Sequence, residues 1–392
     1  MQPRQNTFHF ITVLIAVLVL SSSALHSQTA ISSGEWADPS IWDTYMIPTD
    51  NEPALIPDGY TVTKTDLATF FARVKAGSNA AGGTLIISAG RINASNSMIG
   101  AHEIALEPHS TGEIHVNRGH LSTTSSNGGG IRVGVGEYST GHLRITSGTI
   151  ETTSGIHLGT GANAVGKMTV SGGIVTVATG TGPNINTNIN ANFFVGGLVR
   201  SVHQREGIFE QTGGSFTVTD GHGGAHFYFS VGNAHQEQNN PVGSATLGGG
   251  TFTANVKVGR DNDLSFSDGR GLLTIGSEAN VKGQSQAWEV SANGTLEFQL
   301  GSDESFNPVD LTMVTVPEAI IFSQSGAKLQ VDGANLPYSS LYRPITLMEF
   351  KSGNGPSAAS LSNLTVDFVG FDSRFSPRVE WTDTALIVRV VR

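Results

Sequence analysis

"GHLRITSGTIETTSGIHLG", residues 141–159, decides how the rest of the chain is read. From Gly141, apolar residues follow at +2 and +4 (Leu143, Ile145), a glycine at +7 (Gly148) and an apolar residue at +9 (Ile150). Apolar-x-apolar-Gly then closes the stretch at Ile156, Leu158 and Gly159. Alternation with period two is the signature of a strand with one buried face. Glycines placed between such runs mark turns.

The register repeats. Gly83, Gly112, Gly166, Gly207 and Gly243 open further copies: Leu85 and Ile87, Ile114 and Val116, Met168 and Val170, Phe209, and Ala245 and Leu247 occupy the same offsets. Gln211 breaks the alternation in its copy. The closing motif recurs as "IRVG" (131–134), "FFVG" (193–196), "FSVG" (229–232) and "VKVG" (256–259), with "MIG" (98–100) as a weaker first example. Gly271 and Gly294 open decayed copies, and "WEVS" (288–291) replaces a closing motif. The anchors are 29, 29, 25, 41, 36, 28 and 23 residues apart. Strand register survives such variation when extra residues bulge out at the corners.

Three short strands per copy describe one turn of a parallel β-helix, right-handed by the usual chirality of parallel connections. About eight turns at 4.8 Å each give a core of about 40 Å. Leu85, Ile114, Leu143, Met168 and Phe209 are expected to form one internal column. Ile92, Leu121, Ile150, Val175, Phe216 and Phe252 are expected to form another. Positive φ is expected of the corner glycines.

Composition agrees with an all-β chain and narrows the function. Glycine contributes 49 of 392 residues, which disfavours helices, and charged residues are only 14%. There is no cysteine, so disulfides, Cys nucleophiles, Cys-ligated zinc and a lipidated N-terminus are all excluded. The net charge of −10 and the lack of basic runs argue against nucleic acid as a partner. Residues 1–27 read as a secretory signal peptide: Arg4, the apolar "FITVLIAVLVL" (10–20), then small residues with cleavage after Ala24 or Ser27. Its removal takes the charge to −11 and leaves no membrane span.

Four regions follow: the signal peptide (1–27), an N-terminal cap (28–80), the repeats (81–308) and a β-rich C-terminal cap (309–392), either continuous with the repeats or a small sandwich-like module. Strand edges at the ends of a solenoid need covering. Trp36 and Trp42, among several prolines, are expected to pack over the first turn. "DLATFFARVKA" (66–76) reads as a short helix or an irregular strand. "RVEWTDTALIVRVV" (378–391) reads as a hairpin turning at Thr382–Thr384.

The repeat pattern, the opening "GEWADPSIW … IPDGYTVT" and the closing "YRPITLMEF … RVEWTDTALIVRVV" resemble the Gly-rich repeats of secreted bacterial β-helix proteins, including autotransporter passenger domains and pectin-lyase-like solenoids. The resemblance implies a surface, adhesive or matrix role. No membrane β-barrel and no hydrophobic anchor with a basic tail follows the repeats, so free secretion is expected alongside surface attachment. The expected partner is a polysaccharide or another cell-surface component.

Enzymes on β-helices use carboxylates, often with Ca²⁺, or Lys/Arg bases on one strand face. The densest acidic cluster is "GRDNDLSFSDGRG" (259–271). Its Asp261, Asp263 and Asp268 are the candidate ligands for a cation, although a solvated connection is the simpler reading. No other cofactor is expected and no catalytic residue is assigned. Asn184, Asn186, Asn188 and Asn190, in the long loop 178–192, are the candidate ligand contacts, because recognition gathers on long loops carried by a rigid scaffold. Ten of twelve histidines fall between His102 and His235. Of these, His222 and His226 flank a glycine pair beside Asp220, and His115 and His142 occupy outward positions on consecutive copies. A Thr-rich outward face (Thr149, Ser215, Thr217, Thr251, Thr253) suggests an ordered-water surface, but Arg91, His120, Glu151 and Ile174 interrupt it.

Overall fold

The computed structural model describes residues 27–49, 53–57, 59–77, 82–94, 102–124, 130–153, 155–178, 193–196, 205–219, 228–231, 242–259, 270–302, 306–336 and 343–391. The chain is nearly all β and is dominated by parallel pairing. One sheet has 11 strands, running in order from Gln28–Thr29 to Ile320–Phe322. Every closing motif that falls on described residues lies in it, as do Arg73–Ala76 and Trp288–Val290.

The anchor glycines lie in the second sheet. Each is the direct cross-strand partner of the next: Gly83, Gly112, Gly141, Gly166, Gly207, Gly243, Gly271 and Gly294. Both apolar columns read from the sequence are therefore in register, and all their members are buried. A core of this kind has no single centre. Each strand buries its inward side chains against the copies before and after it, each contributing about 1.5–3 kcal/mol before entropy is counted.

The parallel series run past the boundaries drawn from the sequence. Gly34–Glu35 pairs with Thr61–Lys64, and that strand pairs with Gly83–Ile87. At the other end Gly294–Gln299 pairs with Ala327–Asp332, which pairs with Leu364–Val369. Alanine replaces the anchor glycine at 327, so the glycine signal stops before the pairing does. The segment 66–76 is extended, as Thr69–Phe71 and Arg73–Ala76. In the first copy the closing strand is His102–Ile104, with Ala105 at φ +58° in the place of Gly134, and Met98–Gly100 lies outside the described residues. Polar His102 and Glu103 concealed that strand from a search for apolar-x-apolar-Gly.

The glycines serve two purposes, only one of which was expected. Gly148 and Gly159 have φ of +88° and +69°, as corner turns require. The anchors keep ordinary φ and are needed for close approach. A Cβ on Gly207 would lie 2.0 Å from the Gly196 backbone N. Backbone cannot retreat as a side-chain tip can, so Gly207→Ala is expected to lower stability by about 3 kcal/mol. Urea unfolding of the two chains side by side measures this. An unchanged midpoint would mean that the corner is looser than described.

Specific contacts involve the first and last strands of the parallel series. Trp36 and Trp42 are fully buried and meet edge to face at 5.2 Å, and the Trp42 indole N–H donates to the Trp36 carbonyl at 3.1 Å. Neither is therefore available as a sugar platform. At the far end the last strand of the 11-stranded sheet meets the short helix Ala358–Leu361. The Phe322 N–H donates to Ser360 Oγ at 2.7 Å, and the Asn363 amide donates to the Phe322 carbonyl at 2.9 Å. Side chains thus satisfy part of a strand edge that would otherwise recruit another chain. The hairpin is antiparallel, Ser376–Trp381 with Ala385–Val391, and its second strand pairs antiparallel with Ile345–Phe350.

Candidate functional site

Asp261, Asp263 and Asp268 lie outside the described residues. So do Asn184, Asn186, Asn188 and Asn190, together with Asp220, His222 and His226. Among the described residues no group of three His, Asp or Glu is arranged to hold a metal ion. No helix among them is long and apolar enough to cross a membrane.

Chemistry gathers instead on the outward face of the strands that begin at the anchor glycines. Side chains alternate across the sheet, so the positions one and three residues after each anchor share that face. The first row runs Thr84, Glu113, His142 and Lys167, then Ile208, Ser244 and Leu272, and ends at Thr295 and Lys328. The second runs His115, Arg144, Thr169, Glu210, and further along Glu297 and Gln330. His115 and His142 are therefore diagonal neighbours. The direct partner of His142 is Glu113 on one side and Lys167 on the other, and His115 faces Arg144.

At one end a groove of about 350 Å³ is lined by Thr84, Thr111, Glu113, Thr140 and His142. His142 Nε2 lies 2.9 Å from Thr169 Oγ1, His115 Nε2 lies 3.1 Å from Thr146 Oγ1, and Lys167 pairs with Glu210 at 2.8 Å. Partial burial is the main cause that lowers the pKa of both imidazoles. Arg144 lowers both further, and Glu113 opposes the shift. Both rings are thus held toward the neutral form, which can donate one hydrogen bond and accept another.

At the other end a larger groove, of about 520 Å³, is lined by Arg270, Asn293, Thr295, Glu297, Lys328 and Gln330, with Gly243, Gly271 and Gly294 between them. Glu297 is only 8% exposed. Its two oxygens accept from the amides of Gln299 at 2.8 Å and Gln330 at 2.7 Å, which fixes the carboxylate in place. Lys328 reaches Asp367 only at 3.8 Å. Six parallel strand steps separate Glu113 from Glu297, about 29 Å at ordinary strand spacing. The sequence reading missed this groove because "AKLQVDG" was assigned to a cap. The alternation of Leu329 and Val331 was the available signal that Lys328 and Gln330 point outward.

The Thr-rich face is interrupted where the sequence placed the interruptions. Arg91, His120, Thr149, exposed Ile174, Ser215 and Thr251 lie side by side in one row. Glu151 lies 3.0 Å from His120 and 3.5 Å from Arg91, a small charge cluster rather than a flat hydroxyl array.

Comparison with protein-family models, curated proteins and solved structures finds no match to this chain.

Proposed function

We propose that this chain is a secreted structural or adhesive protein. In this reading the parallel series wind as a right-handed β-helix of three strands per turn, closed by caps at both ends. It acts outside the cell or at its surface, contacting a polysaccharide or the cell-envelope matrix. The observation that carries the reading is the outward face of the anchor strands. It is a track of about 29 Å, ordered by the register, with a polar groove at either end. Sugars present hydroxyls and ring oxygens in a regular line, and fixed carboxylates, amides, imidazoles and ammonium groups bond them. Glu297, held by two amides before any ligand arrives, loses little freedom on binding. The apolar N-terminal segment supports an exported protein, and without cysteine it is free of disulfides.

The test uses the mature chain with a panel of soluble and insoluble polysaccharides, with and without Ca²⁺. Retention and new chain ends are read from the same samples. Retention without new ends is the expected result. Glu297→Gln together with Lys328→Gln should weaken it about tenfold or more, as expected for loss of charge-assisted hydrogen bonds. New reducing or unsaturated ends would replace this reading with a polysaccharide lyase or hydrolase. Absence of retention would overturn glycan contact altogether.

A further inference from the structure

A second polar cluster lies on the outward side of the 11-stranded sheet, away from the track. Glu103, Arg132, His157, Phe194 and Ser230 are successive cross-strand partners there. Outward positions of a sheet are usually exposed, yet His157 is 6% exposed and Ser230 is fully buried. Glu103 is engaged by Lys75 at 3.4 Å. Further along the row, buried polar atoms lack hydrogen bonds. Arg132 Nε, both ring nitrogens of His157 and Ser230 Oγ are buried without a hydrogen bond. Native structures rarely leave buried donors in this condition, and several of them side by side mark a place where something binds.

The chemistry of the row selects what that is. Arg132 offers N–H donors and a fixed positive charge, which repels a metal cation. His157 is held neutral, its pKa lowered to about 3 by burial and by Arg132, so it still donates one N–H. The Phe194 ring packs against the imidazole at 5.2 Å and separates it from the Ser230 hydroxyl. We propose that Arg132 and His157 form a binding site for a small oxyanion, either the carboxylate of an acidic sugar or a free inorganic anion. Ser230 lies two strands from His157, about 9.6 Å away at ordinary spacing. A ligand the length of a sugar ring spans that distance, and an inorganic anion does not.

The experiment titrates the intact mature chain with sulfate and with glucuronate, using chloride at matched ionic strength as the reference. It follows the His157 ring resonances by NMR and the Tm. Saturable movement of the His157 resonances and a rise in Tm with at least one oxyanion, but not with chloride, is expected. Arg132→Gln should weaken that binding about tenfold or more, whereas Lys351→Gln, at an exposed site elsewhere, should not change it. Weakening of glucuronate alone by Ser230→Ala identifies the sugar carboxylate. Binding that Ser230→Ala leaves intact identifies the free anion. If neither oxyanion moves the His157 resonances in the unmodified chain, the site does not exist. The same conclusion follows if Arg132→Gln, folded, binds like the parent.

Discussion

Phe193→Ala should destabilise the chain by about 4 kcal/mol, the largest single-residue loss expected in the core. Phe193 is fully buried in the 11-stranded sheet, and its ring meets three others. It stacks on Phe229 at 4.9 Å and meets Phe209 at 5.2 Å and Phe216 at 4.9 Å, edge to face. Phe252 continues the cluster, stacked on Phe216 at 5.6 Å. Truncation removes a large transfer term and aromatic contacts together, and rings fixed by register on three neighbouring strands cannot close the cavity. Equilibrium urea unfolding with the slope held in common measures the loss. Ile174→Ala is the control: that side chain is 52% exposed, and its removal should cost about 0.5 kcal/mol or less. A Phe193→Ala chain as stable as the control would mean that the aromatic cluster is not packed as described.

The same cluster shows how far the sequence could be read. Phe209, Phe216 and Phe252 were recognisable as inward residues because they stand at fixed offsets from an anchor glycine. Register then followed from spacing alone, and every anchor from Gly83 to Gly294 pairs with the next. The signal failed where glycine was not required. Ala105 and Ala327 stand in for glycines, and the strands beside them were missed or assigned to a cap. Chemistry was less legible than fold. Loop composition drew attention to Asp261 and to Asn184 with its neighbours. The groove at Glu297 instead needs Gln299 from its own strand and Gln330 from the next, and the second of these stands 33 residues away, a separation that no local motif records. Arg132, whose Nε is buried without a hydrogen bond, and the unbonded His157 ring meet for the same reason, through register between separate copies.

Register also buries a second titratable group, and acid should expose it. His102 occupies an inward position, beside Val74 and Ile131, where neighbouring strands carry apolar residues. Its Nδ1 accepts from the Val74 N–H at 3.3 Å, and its Nε2 lies 3.1 Å from the Ser122 carbonyl, so Nε2 carries the proton and donates. Both ring nitrogens are satisfied only in the neutral form. Burial lowers the pKa of His102 to about 4, and the hydrogen bond to Ser122 opposes this without reversing it. An ordinary histidine in the unfolded chain titrates near 6.5. Between those values the unfolded state binds the extra proton, so stability falls as pH falls. The contribution is complete above pH 6.5. It is lost at up to about 1.4 kcal/mol per pH unit on the way to pH 4, roughly 2–3 kcal/mol by pH 4.5. His157, lowered to about 3 by burial and Arg132, adds a second proton over the same range. Urea unfolding at pH 7.0, 6.0, 5.0 and 4.5 should therefore show a stability slope to which His102 and His157 contribute about two protons, with His115 and His142 adding to it. His102→Gln should reduce that slope by one, while lowering stability at neutral pH through imperfect replacement of the two hydrogen bonds. A His102→Gln chain with the parent's slope would mean that His102 becomes charged within the folded structure, and the acid sensitivity would then have to come from His157 together with His115 and His142, whose pKa values burial also lowers.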